Sequence, residues 1–151
     1  MRNINCNDLE FDNLHSAISF IENNNIKLFY DEGDVILCYQ SNESDITENW
    51  KDISMKTALY FQANLKDEII GRNILLVFLS KDSVDINIKK SIQSNTYCCR
   101  KIVRSNVENI EKTINELMLK DISENKKKKK TNLKSFIRNS HHEVFNLIGE
   151  E

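Results

Sequence analysis

The sequence predicts an α+β, α/β-like domain, a small mixed sheet of about four to five strands flanked by helices. Three observations carry this. The run Asn73-Ile-Leu-Leu-Val-Phe-Leu-Ser80 is apolar almost throughout, the pattern of a central strand buried on both faces. Short β-rich runs at 26–30, 35–39 and 97–103 alternate with stretches whose apolar residues recur every three or four positions. The turn Asp31-Glu-Gly-Asp34 joins the first two of those runs as a hairpin, because Gly33 can take a positive φ.

Along the chain, Phe11, Leu14, Ile18 and Ile21 fall at helical spacing, with Asn7 and Glu10 as a capping box. Asn23-Asn-Asn25 ends that helix. Ile26–Tyr30 and Val35–Tyr39 are the hairpin arms, and Ser41–Asp45 reads as a polar loop. Trp50, Ile53, Thr57, Tyr60, Phe61 and Leu65 again step by three and four. That favours a helix, although Ala58–Leu65 is aromatic enough for a strand. Gly71 marks the stop before the apolar run. Val84, Ile88 and Ile92 line one face of a short helix that Ser83 could cap. Tyr97–Val103 returns as a strand. Ser105-x-x-Glu108 is a capping box opening a helix through Val107, Ile110, Ile114, Leu117 and Ile122. The expected organisation is one domain over 1–122, a lysine-rich connector over 123–132, and a C-terminal amphipathic helix over 133–151.

Composition sets outer bounds. At 151 residues the chain fits one domain with a real core. Its net charge of −2 gives no global field for nucleic acid. No apolar run is long enough to span a membrane, and the first residues lack the apolar core of a signal peptide. Cys6, Cys38, Cys98 and Cys99 lack the spacing of a disulfide framework, so reduced thiols and a cytoplasmic location are expected. Proline is absent and glycine occurs three times, so asparagine must serve at turns. Abundant Asn, Lys and Ile fit an AT-rich bacterial genome.

Each catalytic reading fails on spacing. Zinc wants four ligands, usually as two closely spaced pairs. Cys98-Cys99 and His141-His142 are instead directly adjacent, and neighbouring cysteines in a strand would face opposite sides. A metal nuclease needs acids and a lysine converging from neighbouring strands. The one Glu-x-Lys, Glu124-Asn-Lys126, sits in the connector, and Asp34 is explained by turn chemistry. His15 has no triad order around it, and no phosphate-binding loop motif occurs. A non-enzymatic protein without a cofactor is therefore expected.

Two surfaces remain for binding. Arg100, Lys101 and Arg104 cluster at the last strand, and Lys126, Lys127, Lys128, Lys129 and Lys130 form a charge block. Such a block can attract phosphates without reading sequence, or simply be a solvated linker. Arg100 and Lys101 could hold the strand end or pair with acids of a partner. Acids at 8–12 and 31–34 polarise the other end. Phe136, Ile137, Val144 and Leu147 would anchor the last helix, either on this domain or in a partner's groove.

The block Trp50–Val103 resembles the small middle component of bacterial ABC three-component defence systems, the group that includes the Lamassu small subunit. Trp50, Leu59-Tyr-Phe-Gln62, Asn73–Leu79 and above all Tyr97-Cys-Cys-Arg-Lys-Ile-Val103 carry the resemblance, which covers about a third of the chain. It implies a non-catalytic antiphage subunit that assembles with an SMC-like ATPase and an effector, often a nuclease. DNA contact would come through the complex, and no membrane is involved.

Overall fold

The computed structural model describes residues 1–117. It divides the chain into two compact units, Met1–Ile110 and Glu111–Glu151. The first holds a five-stranded mixed sheet in the order β1-β2-β3-β4-β5. The strands are β1 (Arg2–Ile4), β2 (Lys27–Asp31), β3 (Asp34–Ser41), β4 (Ile74–Ser80) and β5 (Arg100–Arg104). Antiparallel pairing joins β1 to β2 and β2 to β3. Parallel pairing joins β3 to β4 and β4 to β5. Parallel neighbours need crossovers, and helices supply them. Between β3 and β4 run α2 (Glu43–Lys56), a π-helical turn (Thr57–Phe61), a 3-10 turn (Gln62–Asn64) and α3 (Glu68–Arg72). Between β4 and β5 runs α4 (Ile86–Ser94), while α1 (Leu14–Asn23) precedes the hairpin. The fold class expected from the sequence is the one observed.

The hairpin turns at Glu32 and Gly33, with φ of 47° and 96°. Both are positive, as a two-residue turn matched to the strand twist requires. Every residue of β4 is buried, and β4 has a strand on each side. Alternation then divides the sheet. Leu28, Val35, Leu37, Leu76, Phe78 and Val103 face one core, shared with Phe20, Ile46, Trp50, Ile53, Phe61 and Ile92. Phe29, Ile36, Cys38, Leu75, Val77 and Leu79 carry the other face and are buried as well.

Several local expectations are corrected. A first strand, β1, was not expected, because three residues give too little alternation to read. The cap of α1 is Asn13, whose Oδ1 accepts from Ser16 N–H at 3.2 Å, not Asn7. Phe11 lies outside that helix and bridges Leu65. No loop spans Ser41–Asp45: β3 runs to Ser41 and Asn42 caps α2 directly, its Oδ1 accepting from Asp45 N–H at 2.8 Å. Gly71 lies within α3 instead of marking its end. Asp85 caps α4, not Ser83, because its Oδ1 meets the N–H groups of Asn87 and Ile88. Ser105 does not open a helix; its Oγ accepts from Val84 N–H at 3.0 Å. Helix begins instead at 110 and continues to 117, where Ile114 and Leu117 are buried.

The expected domain 1–122 runs past the described residues, and the connector 123–132 and helix 133–151 lie outside them. So do Lys126, Lys127, Lys128, Lys129, Lys130, Phe136, Ile137, Val144 and Leu147. Among the described residues, no helix is long and apolar enough to cross a membrane.

Candidate functional site

The site is built by two segments far apart in sequence. The first is the end of the long crossover. Near its last turn, Ser54 Oγ donates to Trp50 O and Thr57 Oγ1 to Ile53 O, each at 2.7 Å. Hydroxyls that bond back to the preceding turn loosen a helix. The helix here widens, and Gln62 N–H reaches Thr57 O across the π turn. Widening of this kind is frequent at functional sites. It places Phe61 in the core, edge-on to Phe11 with ring centroids 5.1 Å apart. It leaves Leu59 and Tyr60 exposed at 56% and 43%, with the Tyr60 ring 6.4 Å from that of Phe20.

The second segment is the approach to β5. The strand begins at Arg100, so Tyr97, Cys98 and Cys99 are not the strand residues expected. Cys98 takes φ 70°, and Cys99 N–H donates to Tyr97 O at 3.0 Å. That pattern is a γ-turn with positive φ, a rare and strained form for a residue bearing a side chain. The two cysteines therefore do not alternate across a sheet. Both side chains are instead half-buried beside the turn.

Gln62 joins the two segments. Its Nε2 donates to Cys98 O at 3.2 Å and to Gly71 O at 2.9 Å. Its Oε1 accepts from Cys98 Sγ at 3.2 Å. One amide thus fixes the 3-10 turn, α3 and the γ-turn together.

Lys101 holds the turn from below. It is only 2% exposed, and its Nζ donates to the carbonyl oxygens of Asn95 (3.3 Å), Tyr97 and Cys99 (3.0 Å). Of the two roles weighed for it, holding the strand end is the one its geometry serves; a direct surface contact with DNA or a partner is corrected by its burial. Arg100 is exposed at the head of β5. Arg104 is half-buried at the other end, its Nη1 on Val103 O at 3.0 Å. Of these three basic residues, Arg100 alone is exposed.

The thiols differ sharply. Hydrogen bonding from Cys99, aided by the Lys101 ammonium, pulls the Cys98 thiol below its ordinary value against the opposing effect of burial. The same bond, with burial, pushes Cys99 up. Burial pushes Cys6 up to about 11 and Cys38 up to about 12, so both stay protonated at neutral pH. Cys6 lines a cleft of about 300 Å³ with Ile4, Ile21 and Leu28. Among the described residues, no group of three or more His, Cys, Asp or Glu is placed to hold a metal ion.

The sequence model of the ABC-three component (ABC-3C) system Middle Component 1 family matches residues 34–134. The chain belongs to this family. The match covers about two-thirds of the chain, more than the block Trp50–Val103 on which the resemblance rested. It begins at the start of β3 and takes in the lysine run, which the resemblance left out. No curated protein and no solved structure matches the chain. Two of the motifs that carried the resemblance to a middle component, Leu59–Gln62 and Tyr97–Val103, are the two segments that Gln62 and Cys98 tie together. Sequence reading had not linked them. Thirty-six residues separate the partners, and neither a lone glutamine nor a cysteine pair in an expected strand signals such a contact.

Proposed function

We propose that this middle component is a non-catalytic assembly subunit of an antiphage system, of the kind that includes Lamassu. It would bridge or regulate an SMC-like ATPase and an effector, often a nuclease, in the cytoplasm. The family match over residues 34–134 carries this reading, since a middle component acts with other components.

The surface chemistry supports it. Leu59, Tyr60 and Tyr97 expose large apolar area on the segments that Gln62 secures. Aromatic residues held on rigid backbone make good interface anchors, because little entropy is lost when they are buried by a partner. The charge of the polypeptide is near balance, so phosphate attraction would rest on local clusters such as Lys126–Lys130, and DNA contact would come through the assembled complex.

Co-expression with the products of the adjacent genes tests the proposal. The tagged middle component should retain an ATPase and an effector through size-exclusion chromatography. Recovery of the middle component alone from cells that express all three would refute it.

A further inference from the structure

We propose that Cys98 and Cys99 form a hydroperoxide-reactive vicinal dithiol, a modification site at the junction of the two motif segments. The geometry supplies what the chemistry needs. The two cysteines are adjacent on a turn that Gln62 and Lys101 both hold, so a second sulfur stands beside the first. Cys98 is half-buried, neither sealed in the core like Cys38 nor freely solvated. Reactive cysteines occupy such partly exposed, electropositive surroundings.

The positive charge comes from Lys101. Its ammonium is buried beneath the turn, and its three oxygen partners are uncharged carbonyls. A buried cation ringed by neutral dipoles favours an anion nearby, and the Cys98 sulfur is close enough to respond to it. Gln62 and Lys101 together hold the γ-turn, so the pair is kept adjacent without further ordering. Structural packing alone would not require a thiol at the strained positive-φ position of Cys98 with a second thiol next to it.

The reaction balances as follows. The Cys98 thiolate attacks one oxygen of hydrogen peroxide. An S–O bond forms, the O–O bond breaks, and the leaving hydroxide takes a proton to become water. Cys98 is then a sulfenic acid, and the thiolate acceptor that helped to raise Cys99 is gone. The Cys99 sulfur attacks the Cys98 sulfur. The S–S bond forms, and hydroxide leaves with the Cys99 proton as a second water. Two thiols lose two electrons, and one peroxide gains them. The oxidised Cys98 sulfur can no longer donate to Gln62 Oε1, so the tie between the segments loses its side-chain half.

The test uses the full chain, reduced, exposed to hydrogen peroxide, then blocked with N-ethylmaleimide and digested with trypsin. The peptide Ser91–Arg100 contains both cysteines and no other. It should appear two hydrogens lighter and unblocked, and dithiothreitol should reverse the change. A pKa of about 11 leaves Cys6 with roughly a hundredth or less of the thiolate of Cys98 at neutral pH. Lower intrinsic nucleophilicity of the more acidic thiol offsets part of this, so the pair should oxidise about tenfold faster than Cys6. In Cys99→Ser, Cys98 should stop at a sulfenic acid trapped by dimedone. Full alkylation of both cysteines after peroxide, oxidation no faster than that of Cys6, or a disulfide between two chains would overturn the assignment. These readouts do not depend on any partner, so their failure leaves the assembly proposal standing.

Discussion

Gln62 and Cys98 grip each other twice, the amide nitrogen on the Cys98 carbonyl at 3.2 Å and the thiol on the amide oxygen at 3.2 Å. A third bond, to Gly71 O, makes Gln62 the tie between the long crossover and the approach to β5. Gln62→Ala removes all three and leaves two part-buried carbonyls to find other donors. Stability should fall by about 1–3 kcal/mol, read as a lower urea midpoint with an unchanged slope. A midpoint equal to that of the unaltered protein would show that the tie is incidental.

Lys101 acts from inside the fold. Lys101→Met removes the donor for three carbonyls and should cost about 2–4 kcal/mol. Lys90→Ala, at an exposed position of α4, should change stability by less than about 0.5 kcal/mol. Thermal unfolding of the two variants distinguishes a structural ammonium from a surface one; equal losses would place Lys101 with the surface lysines.

The conformation of residues 57–65 has its own test. Leu59 and Phe61 would share a face in a strand, where side chains repeat every second residue, but not in a helix. Phe61 is fully buried and Leu59 is not. Phe61→Ala should therefore cost about 3–5 kcal/mol, and Leu59→Ser less than about 0.5 kcal/mol. Comparable losses from both changes would favour the strand.

Buried thiols also set an alkaline limit. Burial raises Cys38 from 9.0 in the unfolded chain to about 12. The fold therefore favours the protonated thiol, and the unfolded state loses its proton first. This contribution is fully present below pH 9.0 and disappears as pH rises towards about 12. Across that window Cys38 should steepen the decline by about 1.4 kcal/mol per pH unit. Urea unfolding at about pH 8 and about pH 10.5 should show a shallower decline for Cys38→Ala. Parallel declines would mean that the thiol ionises as readily in the fold as outside it.

Much of this fold was legible because its strands obey simple rules. The uniform apolar run of β4 and the glycine turn at 31–34 revealed the central strand and a hairpin. The step of three and four from Trp50 to Leu65 correctly favoured a helix. Capping was less legible, since asparagine and aspartate are frequent and several stand near each helix start. The structure chose Asn13, Asn42 and Asp85 by where the preceding strand or loop released the chain. The site was least legible. Lys101 looked like surface charge because no local pattern reveals three carbonyls folding over it. Cys98 looked like a strand residue because a γ-turn with positive φ has no signature when a cysteine occupies it.

The most direct measurement of the central claim is the native mass of the complex purified through a tag on this chain from cells co-expressing the adjacent genes. Light scattering after size exclusion should give a mass that includes the middle component, an ATPase and an effector together. A mass equal to 17.7 kDa, or to a multiple of it alone, would contradict the account.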